Sequence, residues 1–181
     1  MNRLPLIIGV LVLVLSLPIA VFLTTKGQTS FPTRASFTGA SLSLIPPQGE
    51  IANTPISILL ATGASQVDGV DAVLSFKTGL VSTQRPTLNP SLLFDNPDNK
   101  VLINQVTLDS KTNTATLRFS AIFLKPQSVN TAIASFQLAG PIGTPVSISF
   151  TVDSQATHSA VFEHGTAKDI LVKTTGGNYS I

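Results

Sequence analysis

Short runs in which apolar and polar residues alternate fill the chain from about residue 37 onward. Successive side chains of a β-strand point to opposite faces, so alternation places one face in a core and the other outward. The clearest runs lie at 70–76, 115–121 and 146–152, and clusters of Gly, Pro, Asn and Asp separate them. Roughly eight to ten short strands with turns at this spacing predict an all-β sandwich of two sheets. A single helical turn is expected at 89–93, with Asn89 as its N-cap.

A stretch without any charged residue, Leu4 to Leu23, precedes the alternating runs. As a helix it would span roughly 30 Å, the thickness of the hydrocarbon core of a bilayer. Arg3 precedes the stretch and Lys26 follows it, a slight bias toward a cytoplasmic N-terminus. The apolar core is longer than in a cleaved signal peptide, and Pro18 lies close before the best cleavage position. We therefore favour an uncleaved signal-anchor, with a signal peptide as the alternative.

These features predict four segments along the chain. Residues 1–3 would be cytoplasmic, 4–23 a transmembrane signal-anchor or signal peptide, 24–36 a polar linker, and 37–181 the β-sandwich domain. Both interpretations of the apolar stretch export the domain. The anchored interpretation predicts a single-pass protein of the cell membrane with its domain on the extracellular side, at the cell surface.

The charge distribution argues against a nucleic-acid partner, although the net charge is +2. From Phe37 onward, eight Lys and Arg stand against nine Asp and Glu, so this part carries about −1. The basic excess lies at Arg3, Lys26 and Arg34, around the apolar stretch. Tracking a phosphate backbone requires clustered positive charge, and we expect no nucleic-acid partner.

The residue types also limit which catalytic and metal-binding functions the chain can have. The chain has no cysteine, which excludes thiol catalysis and thiolate metal sites. The two histidines, His158 and His164, belong to no H-E-x-x-H motif, and no G-x-S-x-G motif occurs. The turn at 95–99 offers oxygen ligands without the spacing of an EF-hand loop, and Asx side chains in turns usually bond their own backbone. We expect no enzyme, cofactor or metal, with a calcium site in this turn as the alternative.

Three pairs of core strands carry a resemblance to a known family. The pairs are 55–60 with 67–76, 132–136 with 143–150, and 169–172 with 177–181. In this order and spacing, from about Leu42 to Ile181, the chain resembles a cohesin domain and, more broadly, the cellulose-binding type of the carbohydrate-binding superfamily. One departure is that Lys77-Thr78 follows the aromatic Phe76, where the family pattern usually has Asp-Pro.

The resemblance implies a roughly nine-stranded jelly-roll β-sandwich that binds a dockerin-like protein through one sheet face. It places Asp71 at the position of the aspartate on the third strand that contacts the partner. Alternation turns neighbouring residues of this run and of the run around Arg118 outward. The predicted partner-binding residues are Asp71, Val73, Ser75, Thr116, Arg118 and Ser120. An ordinary solvated sheet face is the alternative, since outward Ser and Thr are common in strands.

A carbohydrate-binding module is the second functional interpretation, linked to polysaccharide binding or breakdown. Flat sugar-binding surfaces commonly use Trp and Tyr, which combine an apolar ring with a polar group. The chain has no Trp, and its one tyrosine, Tyr179, lies in a closing strand. A protein partner is therefore favoured over a polysaccharide. A structural subunit of the cell surface is a third interpretation.

Overall fold

The structure is a computed structural model, described here for residues 39–51, 54–77, 87–152 and 157–181. The predicted cytoplasmic N-terminus, membrane span and linker, residues 1–36, lie outside these ranges. Within the described ranges, no helix has the length and apolar character needed to cross a membrane.

Twelve strands and one 3-10 turn at Leu92–Asp95 make up the described part of the chain. The strands are β1 (Ala40–Ile45), β2 (Gln48–Glu50), β3 (Ile56–Ala61), β4 (Val67–Lys77), β5 (Leu88–Pro90), β6 (Asn99–Asp109), β7 (Thr114–Gln127), β8 (Asn130–Phe136), β9 (Pro145–Phe150), β10 (Ala160–Glu163), β11 (Leu171–Thr175) and β12 (Gly177–Ser180). The count exceeds the expected nine, and β2, β5 and β10 are only three or four residues long.

Two sheets form the predicted all-β sandwich. One sheet has five strands in the order β11-β1-β3-β8-β5. The other has seven, with the order β2-β12-β9-β4-β7-β6 and β10 paired to β4. Two pairings are parallel, β1 with β11 and β12 with β2, and the other pairings are antiparallel.

The core lies between the sheets and follows the alternation of the sequence. On β4 the residues Val70, Ala72, Leu74 and Phe76 are buried, and so are the even-numbered apolar residues of β3 and the odd-numbered ones of β7. Phe119 of β7 is fully buried, and its ring meets that of Phe94 in an edge-to-face contact with centroids 5.4 Å apart. Burying each such side chain stabilises the fold by about 1.5–3 kcal/mol, so the inward faces fix which faces of the sheets point outward.

Candidate partner-binding face

The six predicted partner-binding residues lie on the outer face of the seven-stranded sheet, on its two neighbouring strands β4 and β7. They form three successive pairs of directly opposed residues: Asp71 with Ser120, Val73 with Arg118, and Ser75 with Thr116. The sequence predicted the outward direction of each run but not the register that brings the two runs together. We call this surface, with its extension onto β6, β9 and β10, the outer face.

Asp71, Arg118 and Ser120 form one hydrogen-bonded cluster at the centre of the outer face. Arg118 donates from Nη2 to Asp71 Oδ2 at 2.6 Å and from Nε to Oδ1 at 3.2 Å. Ser120 donates from Oγ to Asp71 Oδ1 at 2.8 Å. The Asp71 side chain is 15% exposed and that of Arg118 32%, and hydrogen bonding to Asp71 raises the pKa of Arg118. A two-pronged pair of this kind is geometrically specific, so the cluster presents a fixed, internally neutralised charge.

Val73 is a correction to the sequence prediction, because this residue cannot meet a partner. It is 1% exposed although it does not belong to the core cluster. The hydroxyl of Ser159 accepts from the Val73 backbone N–H and donates to its C=O, both at 3.0 Å. The backbone N–H of Thr151 also donates to the Val73 C=O, at 2.8 Å. Thr151 and Ser159 therefore occupy the hydrogen-bonding edge of β4 at this point.

The other predicted residues differ in how far they reach solvent. Ser120 is buried at 8% exposure, with its hydroxyl committed to Asp71. Ser75 and Thr116 are half-buried and belong to a row of hydroxyl side chains across four strands. The row runs Ser149, Ser75, Thr116, Thr107. Sequence reasoning missed Ser149 and Thr107, since nothing local shows that β9 and β6 flank the central pair.

Apolar side chains occupy the end of the outer face beyond Asp71. Leu102 is 61% exposed, Leu124 53% and Phe162 38%, and Ile122 and Ile103 are half-buried. A β-bulge between Val101 and Ile103 leaves Leu102 without a partner on β7. Sequence reasoning missed this patch. The available signal was that Ile122 and Leu124 continue the outward-facing positions of β7, where polar residues are expected.

The remaining candidate groups have local structural roles. Asn96 Oδ1 accepts from the backbone N–H of Asp98, and Asp98 pairs with Lys125 at 2.7 Å. Nδ1 of His164 lies 2.7 Å from Asp68 Oδ1, and this hydrogen bond lowers the pKa of Asp68. In the described ranges, no three His, Asp or Glu side chains cluster closely enough to hold a metal ion.

A cleft of about 240 Å³ lies between β11 and the chain that leads into β10. Its lining includes His158, Asp169 and Lys173. Asp169 Oδ1 accepts from the backbone N–H groups of Val161 and Leu171, both at 2.9 Å. This carboxylate therefore holds two backbone segments together.

No protein-family model matches the chain, and no curated protein matches it in sequence. Solved structures do match it, and the sandwich of a five-stranded and a seven-stranded sheet defines a cohesin-like fold. One similar structure is the second type II cohesin module of the adaptor scaffoldin ScaA of Acetivibrio cellulolyticus. It is 10% identical, with a TM-score of 0.51, and the match covers 77% of this chain and 92% of that module.

Two further structures show the same fold. The module CaCohA2 of Clostridium acetobutylicum is 15% identical with a TM-score of 0.51, over 79% of this chain and 90% of its own. A cohesin module from a family 33 glycoside hydrolase of Clostridium perfringens is 10% identical with a TM-score of 0.51, over 80% and 97%. The resemblance found in the sequence is thus confirmed at the level of the fold.

Proposed function

We propose that the protein is a non-catalytic, cohesin-like module that binds a dockerin-like protein partner through the outer face. The observation that carries this proposal is the Asp71–Arg118 cluster, at the centre of the face to which the cohesin resemblance assigns the partner contact. The similar module CaCohA2 has been crystallised in complex with a single-substitution variant of CaDoc0917, in a structure of TM-score 0.50 and 15% identity to this chain.

The composition of the outer face fits protein recognition. Interfaces combine apolar and aromatic contacts with Arg at the centre and hydrogen-bonding groups around them. Here exposed apolar residues lie on one side of Arg118 and the row of hydroxyls on the other. Arg118 is the member of the central cluster that is best placed to touch a partner, because it is more exposed than Asp71.

The test is calorimetric titration of the full chain, kept soluble in mild detergent, with purified dockerin modules of several types. We expect at least one dockerin to bind, and Arg118→Ala to weaken this binding by roughly 2–5 kcal/mol. Lys173→Ala, on the exposed strand β11 of the other sheet, is the matched control and should bind as wild type does. Equal binding by wild type and Arg118→Ala would contradict the proposal that the outer face binds the partner.

A polysaccharide ligand is the alternative that the same titration tests. The one tyrosine of the chain, Tyr179, is 4% exposed and donates its hydroxyl to the backbone oxygen of Pro46 at 2.7 Å. It therefore offers no ring face to a sugar. Binding of soluble cellulose or xylan fragments in place of every dockerin would favour the carbohydrate-binding function. If neither class bound, the third interpretation, a structural subunit of the cell surface, would gain weight.

We also propose that residues 4–23 anchor the protein in the cell membrane, with residues 37–181 outside the cytoplasm. The uncharged stretch and its poor cleavage position support this arrangement. Protease added to intact cells should remove the domain and leave the membrane fraction with a short fragment. A mature N-terminus near Val21, with the protein free in the medium, would contradict the anchor.

A further inference from the structure

A gap in the outer layer of side chains lies over Gly69 of β4. In the sheet, Gly69 is directly opposite Phe162 of β10 on one side and Ile122 of β7 on the other. Neighbouring strands are about 4.8 Å apart, so the two flanking backbones stand roughly 9–10 Å from each other with no side chain between them. A Cβ atom at Gly69 would lie 3.7 Å from Ile122 Cγ2. We call this space, with walls formed by Phe162 and Ile122, the Gly69 notch.

The surroundings of the Gly69 notch are apolar. Phe162 is 38% exposed and lies outside the core cluster. Leu124 continues the Ile122 side of the notch along β7, and Leu102 and Ile103 lie nearby on β6. Contiguous exposed apolar side chains of this kind mark interaction sites on soluble proteins. The apolar lining of the notch favours an apolar group over a polar one.

Three acidic side chains around the notch have basic or imidazole partners, and a fourth, Glu163 beside Phe162, accepts a hydrogen bond from the hydroxyl of Thr166. Asp71 binds Arg118, Asp98 binds Lys125, and Asp68 binds His164. Lys100 is directly opposite Ile122 in the same cross-strand row and is exposed. In the part of the chain that the structure describes, Lys100 has no ion-pair partner. Complementary charge across an interface fixes its register and selects partners, so an incoming acidic group would find its match at Lys100.

We propose that the Gly69 notch is the anchor site for an aliphatic side chain of the protein partner, and that a carboxylate of the same partner pairs with Lys100. This inference rests on the proposed function and adds the chemistry of the partner. The partner segment presents Leu, Ile or Val and an Asp or Glu to the outer face. Lys100 is about two strand spacings from Gly69, roughly 9–10 Å, which sets the separation of the two partner groups.

The first experiment selects random peptides displayed on phage against the full chain in mild detergent. Selected peptides should combine an aliphatic residue with an acidic one. Phe162→Ala should weaken the best peptide by about ten-fold or more, the effect of removing a hot-spot contact. Leu92→Ala, an equally apolar substitution at a residue 84% exposed in the 3-10 turn, should change binding by less than about two-fold. Selected peptides that lack an aliphatic residue, or whose binding is insensitive to Phe162→Ala, would overturn the proposal that the Gly69 notch anchors an aliphatic side chain.

Charge reversal provides the second arm. Selection against Lys100→Glu should enrich Lys or Arg at the position where the wild-type selection enriches Asp or Glu. Lys173→Glu, an equal reversal on β11 of the other sheet, should leave the selected sequences unchanged. Persistence of the acidic residue against Lys100→Glu would overturn the assigned role of Lys100.

Filling the notch is the third arm. Gly69→Ala places a methyl group in it, but that carbon would lie 3.0 Å from the backbone oxygen of Ala121. The melting temperature is therefore measured alongside binding, and Phe162→Ala decides the question if Gly69→Ala fails to fold. A dockerin that loses affinity with Arg118→Ala but not with Phe162→Ala or Lys100→Glu would overturn this inference and leave the proposed function standing. If Arg118→Ala, Phe162→Ala and Lys100→Glu all bound dockerin as wild type does, this inference and the proposed function would both be overturned.

Discussion

Arg118 and Asp71 are joined diagonally across the β4–β7 pair, by two hydrogen bonds of 2.6 and 3.2 Å, although neither lies directly opposite the other. Asp71 faces Ser120, which supplies a third hydrogen bond to the same carboxylate. The sequence predicted that both residues face outward and bind the partner. The structure also joins them to each other, which ties a central acid of the outer face to its own sheet.

We expect this pair to contribute to stability, unlike a pair of freely exposed charges. Asp71→Ala should lower the free energy of unfolding by about 1–2 kcal/mol, because hydrogen bonds to charged groups are worth more than neutral ones. A double-mutant cycle with Arg118→Ala, followed by urea denaturation, should give a coupling energy above about 0.5 kcal/mol. Strictly additive losses would show that the two groups do not support each other.

The core prediction concerns Phe119, which is fully buried and packs edge-to-face on Phe94. Phe119→Ala should cost about 3–5 kcal/mol in the free energy of unfolding, through lost burial and the cavity left behind. Ile142→Ala, at a residue 92% exposed, should stay within about 0.5 kcal/mol of wild type. Similar losses for the two variants would contradict the assignment of inward and outward faces.

Residues 37–181 should fold alone, without metal or disulfide. A domain of this size buries roughly 68–70% of the surface of its unfolded chain. The purified fragment should show a single cooperative unfolding transition that a metal chelator does not move. Gradual, non-cooperative melting of the fragment would indicate that it depends on the preceding residues.

Acid should weaken the contact between the start of β4 and the turn after β10. The His164 hydrogen bond lowers the pKa of Asp68 from its ordinary 3.8. A carboxyl that is more acidic in the folded state than in the unfolded state stabilises the fold above the unfolded pKa, and this contribution is lost as the pH falls through the folded pKa. The melting temperature of wild type should therefore approach that of Asp68→Asn below about pH 4. A difference that stays constant down to about pH 2 would contradict this.

Tyr179 allows a direct optical test, because it is the only tyrosine and the chain has no tryptophan. Burial raises the pKa of Tyr179 to about 12. The tyrosinate absorbance of the folded protein should thus appear near pH 12, and that of the unfolded protein near 10. The raised pKa stabilises the fold below pH 10, and this contribution is lost between pH 10 and 12. Ionisation of the folded protein at the ordinary pH would place the ring in solvent.

The sequence was sufficient to predict which residues of β4 and β7 face inward and which face outward, because period-two alternation is a local property of the chain. It was not sufficient to predict that Val73 is buried, at a point of β4 whose backbone bonds Ser159, 86 residues further along. It also placed the helical turn too early. Asn89 and Pro90 belong to β5, and Ser91 caps the 3-10 turn by accepting from the backbone N–H of Leu93. Distant pairing decided both points.

In the candidate site, too, local sequence features were predictable and features set by distant pairing were not. Asp71 and Arg118 were found from the resemblance and the alternation. The Gly69 notch was not, because its two walls come from β10 and β7 and its floor from β4. A glycine in a strand signals close backbone approach or a gap, but only the register shows which residues face it.

The parallel pairings of β1 with β11 and of β2 with β12 have a consequence for how the domain forms. Both join early strands to late ones, and Tyr179 bonds Pro46 across 133 residues. Folding slows as contacting residues become more distant in sequence, since the loop must close before the contact contributes. During synthesis, β1 cannot pair with β11, nor β2 with β12, until residues 171–180 have been made. An incomplete chain therefore keeps unpaired strand edges, which are prone to aggregation.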